Sequence, residues 1–237
     1  MYEFDAKIRF SEVDQDGKLS ITGLLNYFQD CSTFQSEELG IGVKYLSKEN
    51  KAWVINAWQI DVLRMPELCD EVIVGTIPYA IKGFMGSRNF YMKDKKTGDM
   101  IAKANSIWTF LDLEKLRPVR VEPGIAELYG IEDKLDMEYL DRKVVFEGEP
   151  TGRAEAIVVN THHLDANRHV NNGQYVVMAQ ALLPDTFVVS RLQVEYKKSA
   201  LLGDVMIPKI YETPNSFGVS LVDEGGEAYT NIMFYRA

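Results

Sequence analysis

His169 stands where a side chain could move a proton. The run His163-Leu164-Asp165-Ala166-Asn167-Arg168-His169-Val170-Asn171-Asn172-Gly173-Gln174-Tyr175 concentrates an imidazole, a carboxylate and several amides in a few residues. A histidine titrates near pH 6.5 as a free side chain, so it can take a proton from water close to neutrality. Asp165 can orient that imidazole or act as the base itself, and Asn167 can align the water or hold a carbonyl. Backbone N–H groups near Asn171 to Gly173 could stabilise a tetrahedral oxyanion, with Gly173 allowing close approach. Each residue also has a plainer use. Asp165 can cap a helix, Asn167 can close an Asx turn, His169 can bond to backbone and Gly173 can ease helix packing. His162, His163, Asp165 and His169 are also possible metal ligands, but no Glu-x-x-His helical spacing accompanies them. No metal and no cofactor are expected. Gly40-Ile41-Gly42 lacks the third glycine of a dinucleotide loop, and no Gly-x-Ser-x-Gly elbow occurs.

The elements that must hold these groups can be read on either side. Val176 to Leu183 is apolar on nearly every side, which predicts a helix buried all round. Asp165, Asn167, Asn171 and Asn172 are cap-type residues at its mouth, where the helix dipole favours negative charge. In the first half, residues 4–10 read as a strand, Ser11 to Lys18 as a polar loop, and Ser20 as the cap of a helix through Leu24, Leu25, Phe28 and Phe34 that closes near Gly40. Strands follow at 53–62, 71–77, 87–92 and 100–111, with a hairpin at Lys93 to Asp99. The second half carries an extended stretch at 144–159, the loop and helix above, and strands at 188–196, 205–211, 216–222 and 228–235. Pro208 marks an edge or bulge in the second of these strands.

The halves repeat one another. Ser11-Glu12-Val13-Asp14-Gln15-Asp16 lies over His162-His163-Leu164-Asp165-Ala166-Asn167, with Lys18 where the second half has His169. Arg64-Met65-Pro66-Glu67-Leu68-Cys69-Asp70 lies over Lys198-Ser199-Ala200-Leu201-Leu202-Gly203-Asp204, and Asn105-Ser106-Ile107-Trp108 near Thr230-Asn231-Ile232-Met233. Duplication of one helix followed by several antiparallel strands accounts for this and predicts α+β architecture. The expected units are 1–120 and 151–237, with a proline- and charge-rich link at 121–150 that holds a weak helix near Ile125 to Tyr129. Only the second copy keeps the histidine, which assigns the chemistry there.

A net charge of −9 argues against nucleic acid as a general partner. No stretch approaches the length needed to cross a bilayer, and Met1 to Asp5 lacks the layout of a secretion signal, so no membrane partner is expected and the cytoplasm is the expected compartment. Two cysteines, Cys31 and Cys69, make no disulfide framework and are expected in the core.

Asp165-Ala166-Asn167-Arg168-His169-Val170-Asn171-Asn172, followed by Tyr175, resembles the Asp-x-Asn-x-His-Val-Asn-Asn signature of acyl-ACP thioesterases. The likeness extends to the duplicated layout, the acidic loop before the first helix and Val194-Glu195-Tyr196-Lys197-Lys198. It implies two tandem hotdog units and hydrolysis of the thioester between a fatty acyl chain and the phosphopantetheine arm of acyl carrier protein. It also implies an acyl pocket in the first unit and catalysis by Asp165, Asn167 and His169. Asn171, Gly173, Glu195 and Ser199 are supporting candidates. Plant members carry an acidic residue and a cysteine where this chain has Ser199 and Ala200, so water must be the nucleophile. Glu195 shares strand alternation with Ser199 and could face the same side. Lys18, Arg168, Lys197 and Lys198 are candidates for contact with an acidic carrier. Tandem units can replace the dimer that single hotdogs need, and a further homodimer stays open. An acyl-CoA thioesterase of the same fold, and a non-catalytic acyl-thioester binder, are the alternatives.

Overall fold

A computed structural model describes residues 1–165 and 167–237. The chain divides into two compact units, Met1–Asn56 with Ile60–Tyr139, and Ala57–Gln59 with Leu140–Ala237. The first carries β1 (Tyr2–Lys7), α1 (Ile21–Glu38), α2 (Val43–Lys48), β2 (Lys51–Val62, except Ala57–Gln59), β3 (Glu71–Lys82), β4 (Met85–Asp94), β5 (Met100–Asp112), β6 (Arg117–Pro118) and α3 (Pro123–Tyr129). The second carries β7 (Gly152–Arg153), β8 (Ile157–Val158), α4 (Asn172–Gln180), β9 (Val189–Tyr196), β10 (Val205–Glu212), β11 (Ser216–Val222) and β12 (Ala228–Arg236). Strand order is β1-β3-β4-β5-β2 in the first unit and β9-β12-β11-β10-β7 in the second. The long helix α1 packs on β1 and β3, and α4 packs on β11 and β12.

The duplication holds at the level of single hydrogen bonds. Phe10–Glu12 and Thr161–His163 form matching 3₁₀ turns. Each is followed by a closed loop, bridged Val13 to Leu19 in one copy and Leu164 to Val170 in the other. Asp14 Oδ1 accepts from the N–H groups of Asp16 (3.0 Å) and Lys18 (3.1 Å). Asp165 Oδ1 accepts from those of Asn167 (2.8 Å) and His169 (3.2 Å). The left-handed position falls on Gly17 (φ 73°) in one loop and Arg168 (φ 62°) in the other. Further on, Leu19 N–H donates to the Pro66 carbonyl and Val170 N–H to that of Ala200, while Glu67 and Leu201 donate to the carboxylates of Asp70 and Asp204. A second left-handed residue, Cys69 (φ 71°), answers to Gly203 (φ 87°).

Three expectations need correction. The stretch 121–150 is no free-standing link. Val121, Ile125 and Tyr129 join Ile41, Leu46 and Phe110 in the core of the first unit. Asn89 Oδ1 then takes the Leu135 N–H (3.0 Å) and the Tyr139 hydroxyl (2.9 Å). From Leu140 onward the chain belongs to the second unit, where Val144 is buried and Phe146 stacks on Tyr211 at 4.1 Å. Scattered apolar residues anchor a segment whose average composition reads as linker. The extended stretch 144–159 contributes only β7 and β8 as strands. Finally, α4 ends at Gln180 and is not enclosed on every side, since Val177 keeps 41% of its surface.

Pro208 lies at an interruption. β10 pairs with β8 through Val205 and Met206 and with β7 through Lys209 and Ile210. The Pro208 carbonyl faces that side, accepting from Ala154 N–H at 3.4 Å. Its nitrogen faces the same way, so no bond to β11 is lost.

The paired left-handed positions give a test. Gly203→Ala should cost about 1–2 kcal/mol, because a Cβ is unfavourable at positive φ. Cys69→Gly should be neutral or stabilising by up to about 1 kcal/mol. Chemical denaturation of the two variants checks both signs.

Candidate active site

The loop of the second unit holds the backbone of His169 from both directions. Its N–H donates to Asp165 Oδ1 and its carbonyl accepts from Asp165 N–H at 2.8 Å. The imidazole is exposed, and no described residue hydrogen-bonds to it. Asn167 is exposed in the same way, its N–H tied to Asp165 and its amide side chain open. Ala166, between them in the signature, lies outside the described residues. Asp165, and not Asn167, is the Asx-turn residue. The identical clamp made by Asp14, in the half with no histidine, marks these bonds as loop architecture.

Asn171 is the cap of α4. Its Oδ1 accepts from Gly173 N–H at 2.8 Å, its carbonyl accepts from Gln174 N–H at 2.9 Å, and its own N–H donates to the His163 carbonyl at 2.9 Å. Two of the N–H groups expected for an oxyanion are therefore occupied. Asn172 N–H, at the first helical position, has no acceptor among the described residues. His163 Nδ1 accepts from Asn160 N–H at 3.0 Å, as the Glu12 carboxylate does from Arg9 N–H. Burial, with the neighbouring His162, lowers the His163 pKa and favours the neutral ring.

The supporting candidates separate. β9 ends at Tyr196, so strand alternation does not carry from Glu195 through to Ser199. Glu195 Oε2 accepts from Val144 N–H (3.3 Å) and Asn231 Nδ2 (3.2 Å), and Asn231 Oδ1 in turn accepts from Ser220 Oγ (2.7 Å). Ser199 is exposed beyond the strand. Ala200, where plant members have cysteine, is fully buried. Of the basic candidates, Arg168, Lys197 and Lys18 are exposed, whereas Lys198 pairs with Asp223 and with Glu227 at 3.0 Å. The hydrogen bonds that its ammonium donates to those carboxylates raise its pKa. Among the described residues no group of three or more His, Cys, Asp or Glu side chains could hold a metal ion. Cys31 is buried and its thiol is pushed up to about 12 by burial, while Cys69 is exposed, against the expectation of a core position.

Sequence reasoning missed a tyrosine pair. Tyr175 is buried with its hydroxyl accepting from Ala200 N–H at 2.9 Å. Tyr196 meets it edge-on at 5.9 Å and donates to the Asn172 carbonyl at 3.0 Å. Burial raises both hydroxyl pKa values, that of Tyr175 to about 12. The signal lay in the repeat. In the first half the equivalent pair is Leu24 and Pro66, where proline has no N–H and leucine no acceptor.

The model of the acyl-ACP thioesterase N-terminal domain matches residues 1–129. The chain belongs to the acyl-ACP thioesterase family. A chloroplastic acyl-[acyl-carrier-protein] hydrolase of Cuphea viscosissima is 26% identical over 221 residues, covering 84% of this chain and 52% of that protein. A dodecanoyl-[acyl-carrier-protein] hydrolase of Cinnamomum camphora is 26% identical over 216 residues, covering 84% and 56%. The chain thus spans about half the length of the plant relatives it matches. An acyl-ACP thioesterase structure from Bacteroides thetaiotaomicron aligns with TM-score 0.89 at 23% identity, covering 99% of this chain and 97% of that one. The 12:0-ACP thioesterase of Umbellularia californica aligns with TM-score 0.85 at 21% identity, covering 99% and 97%. The fold of this family member is two tandem hotdog units, as the signature implied.

The tyrosine and the two cysteines each give an expected outcome. Tyr175→Phe should cost about 1–3 kcal/mol by leaving a buried N–H unpaired. Tyr175→Leu should lose less when combined with Ala200→Pro, which copies the first-half arrangement; denaturation midpoints decide. A thiol reagent should label Cys69 at once and Cys31 only on unfolding. Because burial raises the Cys31 pKa from 9.0 to about 12, its contribution to stability should be intact below pH 9 and fade as pH rises towards 12.

Proposed function

We propose that the chain hydrolyses fatty acyl-ACP thioesters to free fatty acid and ACP, ending chain elongation, with His169 as general base for the attacking water. The observation that carries this reading is an exchange between two loops closed by the same carboxylate hydrogen bonds. The same carboxylate clamp presents an exposed lysine, Lys18, in the first unit and an exposed imidazole in the second. A thioester carbonyl is electrophilic enough for activated water to attack it directly. The water oxygen bonds to the acyl carbon, the C–S bond breaks, and the proton held by His169 passes to the departing thiolate.

Asn167 aligns the water or the carbonyl with its open amide. Asn172 N–H, at the positive end of α4, is the available donor for the oxyanion. Asp165 acts as a positioning residue, since its Oδ1 is committed to the loop. Asn171 and Gly173 build the helix mouth, Glu195 braces Asn231, and Ser199 is a bystander. Buried Ala200 and the protonated, enclosed Cys31 agree with a mechanism that has no thiol nucleophile. The apolar face under α1, with Leu24, Leu25, Phe28 and Phe90, suits the acyl chain. Arg168 and Lys197 suit an acidic carrier protein.

Acyl-ACPs of graded chain length, set against the matching acyl-CoAs and assayed for free acid, test the reading. His169→Ala should lower the rate by about 10²–10⁴-fold, the usual contribution of a general base. Ser199→Ala should leave it unchanged. Full activity in His169→Ala would remove the imidazole from the mechanism.

A further inference from the structure

One row of the first unit departs from its own apolar pattern. The side of β4 that meets α1 carries Gly86, Arg88, Phe90 and Met92, and Phe90 packs against Phe28 of α1 at 5.5 Å. Arg88, only 8% exposed, lies in the middle of that row. Its Nη1 donates to Gln35 Oε1 of α1 at 2.6 Å and to Thr76 Oγ1 of β3 at 3.3 Å. The guanidinium carbon lies 5.2 Å from the centre of the Tyr129 ring. No carboxylate pairs with it among the described residues, and Nε and Nη2 have no acceptor there. Burial lowers its pKa to about 10, which leaves it charged at neutral pH.

A second donor, on a ring that also meets Tyr129, is fully buried and unpaired. Trp53 Nε1 is buried without a hydrogen-bond partner, and its ring meets that of Tyr129 edge-on at 6.3 Å. Around Tyr129, then, the unit assembles donors without matching acceptors. A buried charge with no counter-ion is destabilising, and a methionine or leucine at position 88 would avoid the cost. An oxyanion supplied from outside would complete the set. The planar fork of Nε and Nη2 matches the two oxygens of a carboxylate. Phe28, Phe90 and Cys31 alongside favour an aliphatic chain over a strongly hydrated phosphate.

We propose that Arg88, with Trp53, forms a binding site within the first unit for a carboxylate carried on an aliphatic chain. The site shares Phe28 and Phe90 with the acyl-chain face of the proposed function, but binding without turnover tests it separately from hydrolysis at the His169 loop. The carboxylate could come from a free fatty acid or from the far end of a chain linked elsewhere by its other end.

Calorimetric titration of the full chain near neutral pH would use decanoate, 1-decanol and the mono-N-butylamide of decanedioic acid. At least one of the two acids should bind roughly 10- to 100-fold more tightly than the alcohol, the range expected for a charge-assisted hydrogen bond. Preference for decanoate identifies the free acid as the source, and preference for the monoamide identifies a chain-end carboxylate. Arg88→Met should abolish the discrimination while leaving the melting temperature unchanged or higher. Arg88→Lys keeps the charge without the fork and should retain only part of the preference, which serves as the readout should Arg88→Met not fold. Equal binding of acids and alcohol, absence of binding by all three, or a preference undiminished in both variants would overturn the site.

Discussion

A carboxylate oxygen that accepts two backbone N–H groups closes the loop ahead of each central helix, and much of the geometry follows from that closure. The loop sets where the chain enters the helix, and the next N–H, from Leu19 or Val170, ties it to the strand connection at Pro66 or Ala200. Helix, loop and connection therefore form one hydrogen-bonded unit, present twice. What projects from the closed loop can vary with little effect on this frame, because the clamp uses only backbone donors.

That freedom is where the halves have diverged. In the second, Lys18 gives way to His169, Gly17 to Arg168, and Leu24 and Pro66 to Tyr175 and Ala200, which are joined by a bond from Ala200 N–H to the Tyr175 hydroxyl. The last exchange is a matched pair of changes, since alanine in place of proline brings a buried N–H that must find an acceptor. The first half has diverged in its core, accepting a buried guanidinium with neutral partners between helix and sheet. One copy has changed on its loop surface and the other in its interior.

The comparison of copies also separates framework from chemistry. Asp165 belongs to the family signature, yet Asp14 makes the same bonds without a histidine to serve, so those bonds belong to the frame. The histidine and the open Asn167 amide have no such duplicate. Ser199 and Ala200 occupy a connection whose backbone, not its side chains, holds the loop, which explains how the acid–cysteine pair can be missing without loss of the fold.

The caps, turns, hairpins and the repeat were legible in the order of residues because they rest on contacts a few positions apart. Ser20 and Asn171 bond within two or three residues, and Asp14 and Asp165 within four. Residues whose partners are distant carry no such local signal. Val121, Ile125 and Val144 look like isolated apolar residues in a linker until the core that receives them exists. The acceptor for Ala200 N–H lies on a helix 25 positions away, and the Gln35 that meets Arg88 lies 53 positions from it. Local pattern can name a loop and its cap, but long-range packing determines which side chains are left exposed, which are occupied and which donors remain without an acceptor.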